Sequence, residues 1–306
     1  MMAQLCKPRV TVLLCTYNCE SSIMMSLKSI LWQDFQDFEI LILDDASSDG
    51  TKKVLEEIDD DRIKKIFFKK NRGQTYNLNF GARIARGDYI AFLDVGDIWF
   101  PNFLSKMINA TSDGTHFAYC WTSGQNPKCH LSTDNNYADF LYQGRLADTI
   151  TLFISKDVTK KVKFQAYKDG GYLKDDAFTL SASKIYKVKL VPEELSVKLE
   201  TSYDNGVNVS RNFLRSADMA LDFYQSIEKD VYKYCGYLGL SRHNYILGVQ
   251  VLYSFEIRWF FSRICLAIYY YLLSLVIPRI YKRKIRLFSI FKSISKALLI
   301  GFSQRR

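Results

Sequence analysis

Gly87–Pro101 reads GDYIAFLDVGDIWFP. Its first half, Tyr89–Leu93, is a continuous apolar run of the length of one strand buried on both faces. Two carboxylates, Asp94 and Asp97, follow at once, with Trp99 and Pro101 close behind. An interior strand that ends in acids delivers them to the edge of a sheet. In an open α/β sheet, ligands bind in the crevice outside the carboxyl ends of the strands.

Upstream, the same grammar repeats. Val10–Cys15 (VTVLLC) predicts a buried strand and Thr16-Tyr17-Asn18 a polar loop. Ser21–Trp32 carries Ile23, Met24, Leu27, Ile30 and Leu31 at helical spacing, with Ser21 and Ser22 positioned to cap it. Phe38–Leu43 (FEILIL) predicts a second strand, ending at Asp44-Asp45. A turn through Ala46–Thr51 leads to a helix over Thr51–Ile58, a third strand over Ile63–Phe68, and a loop at Asn71–Gln74. The helix over Thr75–Ala85 has small residues at Gly81, Ala82 and Ala85 for close packing. Alternating strands and helices predict an α/β fold with a mostly parallel, doubly wound sheet. That fold gathers Thr16–Asn18, Asp44/Asp45 and Asp94/Asp97 on one rim.

Turn chemistry alone accounts for Asp49 in SSDGT. Two separate strands that both end in paired acids are a different matter. Clustered carboxylates repel one another and lose hydration, so they point to a cation or a hydrogen-bonding ligand. No GxGxxG follows the first strand and no GxxxxGK[ST] is present. The anions of a nucleotide would then be met by a divalent metal on oxygen ligands, which suits Mg²⁺ or Mn²⁺.

Beyond Pro101 the pattern predicts a helix over Asn102–Ala110, a strand over Phe117–Trp121, a surface loop over Thr122–Tyr137 and a strand over Thr149–Ile154. Lys168–Leu180 holds a diglycine turn, Gly170-Gly171, and then Asp175-Asp176 at the start of an apolar, helix-like segment. These two acids either cap the helix against its dipole or offer a general base. Glu193, Glu194 and Glu200 read as solvated surface. Asn205–Leu214 reads as the end of this domain, which sets domains at 1–215 and 216–306, and Ala217–Tyr234 reads as helical.

The charge is unevenly placed. The net charge is +10, yet residues 257–306 hold eleven of the 42 Lys/Arg and no Asp or Glu, so the rest sums to about −1. Such asymmetry points to a polyanionic partner. The longest uncharged run there, Ile264–Pro278, is fifteen residues, short of the ~20 needed to span hydrocarbon. Ile285, Phe288, Ile290, Phe291, Ile294 and Leu298 alternate with Lys292 and Lys296, as in a helix lying in a membrane interface. The reading is a C-terminal helical, basic region that meets an anionic membrane surface through Arg258–Arg306. Nucleic acid is the poorer fit, because no aromatic stacking array or zinc motif accompanies the charge. Seven cysteines without a CxxC pair read as reduced thiols. Three dispersed histidines argue against a histidine-rich zinc site and most nucleophilic triads. The chain reaches a strand by Val10 without a long apolar h-region, so no signal peptide is expected.

Taken in order, TYN at Thr16–Asn18, DDASSDGT at Asp44–Thr51, NRG at Asn71–Gly73, LNFGA at Leu78–Ala82 and GDYIAFLDVGDIW at Gly87–Trp99 resemble the family 2 glycosyltransferases of GT-A fold. The resemblance implies a Rossmann-like nucleotide-sugar-binding domain, a UDP-, GDP- or dTDP-sugar donor, a divalent cation (Mn²⁺ or Mg²⁺) and inverting transfer. The acceptor class it implies is a lipid-linked or cell-surface glycan, with the enzyme peripheral on the cytoplasmic face of the inner or plasma membrane. By the same likeness Thr16, Tyr17, Asn18, Asp45, Asn71 and Asp94 bind the donor, and Asp94 and Asp97 the metal. Where the family carries an acid at the third position of LDxDD, this chain has Gly96, with Asp97 next to it. The likeness also makes Asp175 the first acid and Asp176 the catalytic base. Two other readings stand beside it: a non-catalytic nucleotide-sugar-binding relative, and a basic nucleic-acid-binding protein.

Overall fold

A computed structural model describes residues 7–123, 137, 140, 147–165, 174–199, 229–231, 233, 243 and 257–276. The strands are β1 (Val10–Thr16), β2 (Phe38–Asp44), β3 (Ile63–Phe67), β4 (Tyr89–Asp94), β5 (Ile98–Trp99), β6 (Phe117–Thr122), β7 (Leu152–Ser155) and β8 (Val188–Val197). The helices are α1 (Ile23–Leu31), α2 (Thr51–Glu56), α3 (Gln74–Ile84), α4 (Phe103–Ala110), α5 (Lys156–Lys161), α6 (Lys174–Ser183) and α7 (Ile257–Val276), with a 3-10 turn at Thr149–Thr151.

All eight strands form one sheet in the order β3-β2-β1-β4-β7-β6-β8-β5. β3, β2, β1 and β4 are mutually parallel, β7 runs antiparallel between β4 and β6, β6 and β8 are parallel, and β5 is antiparallel to β8. The register places Thr16 beside Asp44 and Cys15 beside Asp94. The rim expected from the sequence is therefore built by pairing, not only by topology.

Buried Val10, Val12 and Leu14 of β1 share one core with Ile40 and Ile42 of β2, Ile23, Leu27 and Ile30 of α1, Leu55 of α2, and Phe103 and Met107 of α4. α3 lies on the other face, where a Cβ at Gly81 would come within 2.8 Å of Leu43 and 2.9 Å of Leu13. The small residue read in the sequence thus permits a close helix–sheet approach. Phe164 stacks on Phe178 of α6 at 4.2 Å between centroids and meets Phe92 of β4 edge-on at 5.4 Å, which ties α6 to the centre of the sheet.

A buried polar staple closes the opposite rim. Thr11 Oγ1 donates to Glu39 Oε1 (2.7 Å) and accepts from the Gly87 amide (2.8 Å). Arg86 donates to Glu39 from its backbone N (2.8 Å) and its Nε (2.6 Å). β1, β2 and the turn into β4 are locked together by one carboxylate, which is satisfied and so tolerates burial.

Four expectations change. Thr149–Ile154 is not a single strand: the chain makes a 3-10 turn before β7 begins at Leu152. Ser22 occupies the N-cap of α1 without a capping bond, its hydroxyl donating instead to the Cys19 carbonyl at 3.4 Å. The sequence predicts no strand over Val188–Val197, where β8 pairs with β6 through a register shift around Trp121; Glu193 and Glu194 lie within it and keep the surface positions expected of them. The expected end of the third core strand, Phe68, lies one residue beyond β3. The diglycine turn at 168–173, most of the loop at 122–137, most of the helix expected at 217–234, and the amphipathic segment at 285–298 lie outside the described residues.

The chain divides into two compact units, one of residues 1–131, 147–166 and 174–205, the other of residues 132–146, 167–173 and 206–306. Within the second, Tyr137 Oη donates to Asp230 Oδ2 at 2.5 Å. The 20-residue α7 carries no acid in its first turn and buries Ile264 and Ala267, while Cys265, Ile268, Tyr269 and Leu272 are exposed. No helix among the described residues is long and apolar enough to cross a membrane.

Candidate active site

The loops after β1 and β2 are zipped together. Asp44, only 2% exposed, accepts from Thr16 Oγ1 (2.9 Å), Ser47 Oγ (2.5 Å) and the Ser47 amide (3.1 Å). Asn18 Oδ1 accepts from the Ser48 amide at 2.8 Å, and the Asn18 amide donates to Ser47 Oγ at 2.9 Å. Asp49 takes the amides of Thr51 (3.0 Å) and Glu20 (3.1 Å), so its carboxyl sits below the usual range and its work is the turn. Asn18 (φ 47°) and Ala46 (φ 61°) are held in the left-handed region, which is strained for a residue such as alanine. The outcome is a rigid ledge with the Tyr17 side chain 52% exposed upon it.

Asp45 is buried and accepts two backbone N–H groups from one loop, Arg72 on Oδ1 and Gly73 on Oδ2, each at 2.8 Å. Asn71 Oδ1 also accepts from the Gly73 amide, at 3.1 Å. Gly73 has φ 83°, a backbone state suited to glycine. The next residue, Gln74, opens α3 and donates its Nε2 to Asp94 Oδ1 at 2.6 Å. Three consecutive residues therefore bridge the carboxylate just after β2, Asp45, and the one that ends β4, Asp94.

Asp94 is half-buried at the rim, whereas Asp97 is 4% exposed and accepts the Leu199 amide at 3.2 Å. Burial first, and then the charge of Asp94, push the Asp97 carboxyl up to about 7; Leu199 and Lys198 oppose the shift. Between the two acids the backbone turns at Gly96, with φ 95°. Glycine at this position thus has a conformational cause, and Ser26 fixes the turn by accepting from the Gly96 amide and donating to the Asp97 carbonyl, each at 2.8 Å. Lys198 pairs with buried Asp148 at 3.1 Å. The residue after Asp148, Thr149, donates its amide (3.3 Å) and its hydroxyl to the Asp175 carboxylate at the start of α6. Asp176 beside it is 7% exposed.

A chain of hydrogen bonds, one ion pair and sequence neighbours thus runs from Asp45 through Arg72–Gln74, Asp94, Asp97, Leu199 and Lys198, and Asp148 and Thr149 to Asp175. Tyr17 and Asn71 lie on the loops at its β1–β2 end. Gln74, Asp148, Thr149 and Lys198 carry no motif signal in the sequence. Neither Glu193 nor Glu194 contributes; Glu193 pairs with Lys106 at 2.8 Å. The described cysteines, Cys15, Cys19, Cys120 and Cys265, are free thiols, and burial pushes Cys19 up to about 11 and Cys120 higher still, which leaves both unreactive.

Residues 11–161 match the model of the glycosyl transferase family 2. An uncharacterized glycosyltransferase of Haemophilus influenzae is 27% identical over 230 residues, covering 72% of this chain and 90% of its own. The UDP-Glc:alpha-D-GlcNAc-diphosphoundecaprenol beta-1,3-glucosyltransferase of Escherichia coli is 37% identical over 102 residues, 33% of this chain and 40% of its own. Apart from the first, the leading relatives are thus matched over well under two thirds of their length. The solved mannosyltransferase of Pyrobaculum calidifontis, in complex with GDP-Man and Mn²⁺, superposes with a TM-score of 0.57 at 15% identity, covering 97% of this chain and 81% of its own. At that identity the likeness speaks for the fold, which is GT-A. With the family model spanning β1 to α5, and the acids that end β2 and β4 on one rim, the chain carries a family 2 glycosyltransferase domain.

Proposed function

We propose that this enzyme transfers a sugar, with inversion, from a UDP-, GDP- or dTDP-sugar to a hydroxyl of a lipid-linked or cell-surface glycan. The observation that carries the reading is the chain of hydrogen bonds, ion pair and sequence neighbours that leads from Asp45 to Asp175, because donor binding and proton removal need their groups close together. Tyr17, Asn18 and Thr16 form the ledge for the base. Asp45 and Asn71 hold the loop that closes it, and Asp45 retains acceptor capacity beyond its two amide bonds. Asp94 meets the ribose and the diphosphate.

The acids fit a divalent cation. Mg²⁺ and Mn²⁺ take one or two carboxylates and complete their shell with water and substrate phosphates, and the repulsion between Asp94 and Asp97 is what such a charge relieves. When bound, it would offset the charge of the leaving diphosphate. The remaining chemistry belongs to the chain. Asp176 accepts the proton of the acceptor hydroxyl as its oxygen attacks the anomeric carbon, while the bond from that carbon to the diphosphate oxygen breaks on the opposite side. Asp175, anchored on Thr149, sets the start of α6 and so the position of Asp176.

The acceptor class follows the Escherichia coli relative, whose name specifies a diphosphoundecaprenol-linked sugar. The same reading assigns residues 1–215 to catalysis and 216–306 to association with the cytoplasmic face of a membrane. It is supported by the exposed apolar stripe of α7 and by eleven cationic and no acidic residues over 257–306.

Asp176→Asn tests the chemistry. Transfer is expected to fall at least about a thousandfold, within the range lost when a general base is removed. Donor affinity, measured by calorimetry, stays within about twofold. Equal loss of transfer and affinity would show that Asp176 binds the donor instead.

A further inference from the structure

Donor sites depend on acids held in one orientation before the ligand arrives, since ordering a side chain during binding subtracts from affinity. Asp45 directly follows β2 and Asp94 ends β4, with β1 between the two strands. They have different anchors. Asp45 uses both oxygens to accept backbone amides. Asp94 is half-buried, and its Oδ1 accepts a side-chain amide, the Nε2 of Gln74 at 2.6 Å.

We infer that Gln74 is a positioning residue of the donor site, holding the Asp94 carboxylate by one oxygen and leaving the other for a ribose hydroxyl or a cation. This rests on the donor reading above. The residue type is informative. A Lys or Arg here would hold Asp94 equally well but would neutralise it and repel a divalent ion. A carboxamide donates without cancelling charge. Gln74 is also the first residue of α3, directly after the Gly73 amide that Asp45 holds. Loop 72–74 is therefore a single rigid piece, and shifting it moves the anchor of both acids together.

The test uses the full chain with UDP, GDP and dTDP as probes, each titrated by calorimetry with and without MnCl₂. Thermal melting serves as the folding control. Gln74→Ala is expected to melt as the wild type does and to bind the preferred nucleotide with Mn²⁺ about five- to tenfold more weakly, the scale of one net hydrogen bond at a partly exposed site. The change appears in KM for the donor, with kcat within about twofold. Gln74→Glu keeps the shape but loses the donor. It is expected to bind nucleotide more weakly without metal and to recover at higher Mn²⁺, because two adjacent carboxylates then share the ion. If Gln74→Glu matches the wild type at every Mn²⁺ concentration, Gln74 acts by shape alone and the inference is overturned. Unchanged affinity in Gln74→Ala overturns it as well, while leaving the donor reading intact. If the wild type itself binds none of the three nucleotides, the donor reading falls, and this inference falls with it.

Discussion

Asp45 has a structural job that its motif does not announce. The motif marks it as a ligand for the base, and the fold also makes it the clamp for the Arg72 and Gly73 amides. Hydrogen bonds to a charged acceptor are worth more than neutral ones, about 1.5–3 kcal/mol each. Asp45→Asn removes the charge and turns an NH₂ toward one of the two N–H donors. Amide exchange at Arg72 and Gly73 is then expected to quicken by at least about tenfold, along with weaker nucleotide binding. Exchange rates equal to wild type would limit Asp45 to ligand contact. Asp44, by contrast, spends its carboxylate on Thr16 and Ser47, so two neighbouring acids that look alike in sequence divide into a clamp and a loop-closing residue. Asp175 and Asp176 divide in the same way, since Thr149 takes the carboxylate of the first.

Helix α3 is the element on which the rim depends. Gly81 lets it lie against Leu13 and Leu43, and its first turn carries Gln74. Its outer side holds a second clamp: Asn79 Nδ2 donates to the Phe164 carbonyl at 2.7 Å, and Asn79 Oδ1 accepts the Phe164 amide at 3.0 Å. One side chain thus satisfies both backbone groups of a residue that follows α5 and whose ring stacks on α6. Asn79→Ala leaves both groups unpaired and is expected to cost about 1–3 kcal/mol of stability. Urea denaturation checks this. A shift below about 0.5 kcal/mol would mean that water replaces the clamp. The LNFGA motif is therefore read in structure as packing at Gly81 and backbone satisfaction at Asn79, not as ligand chemistry.

At the scale of the whole molecule, charge and apolar surface are concentrated in the C-terminal part. On α7 the exposed Cys265, Ile268, Tyr269 and Leu272 recur at one helical face, opposite buried Ile264 and Ala267. Such a stripe, with tyrosine and without acids, suits a helix lying in an anionic interface. Ile268→Glu together with Leu272→Glu is expected to release the full chain from vesicles containing phosphatidylglycerol. Less than about a tenth of wild-type binding should remain in a flotation assay. Binding that persists would place the attachment elsewhere, and binding lost with a change from dimer to monomer would assign the stripe to a second copy.

The sequence by itself determined the alternation of strand and helix, the acids at the strand ends and the family. Each of these is a local signal: an unbroken apolar run, a turn residue, a motif within a few positions. Boundaries came within one or two residues wherever an apolar run ended abruptly, as at Val10 and Tyr89. Only the tertiary structure decided that Thr149 opens as a 3-10 turn, that a polar stretch around Pro192 pairs as β8, and that Gly96 serves a backbone turn. It alone decided that Gln74, Lys198, Asp148 and Thr149 link the acids into one rim. Those roles come from partners 20 to 50 residues away in the chain, and a hydrogen bond between distant residues leaves no periodicity for a reader of sequence to find.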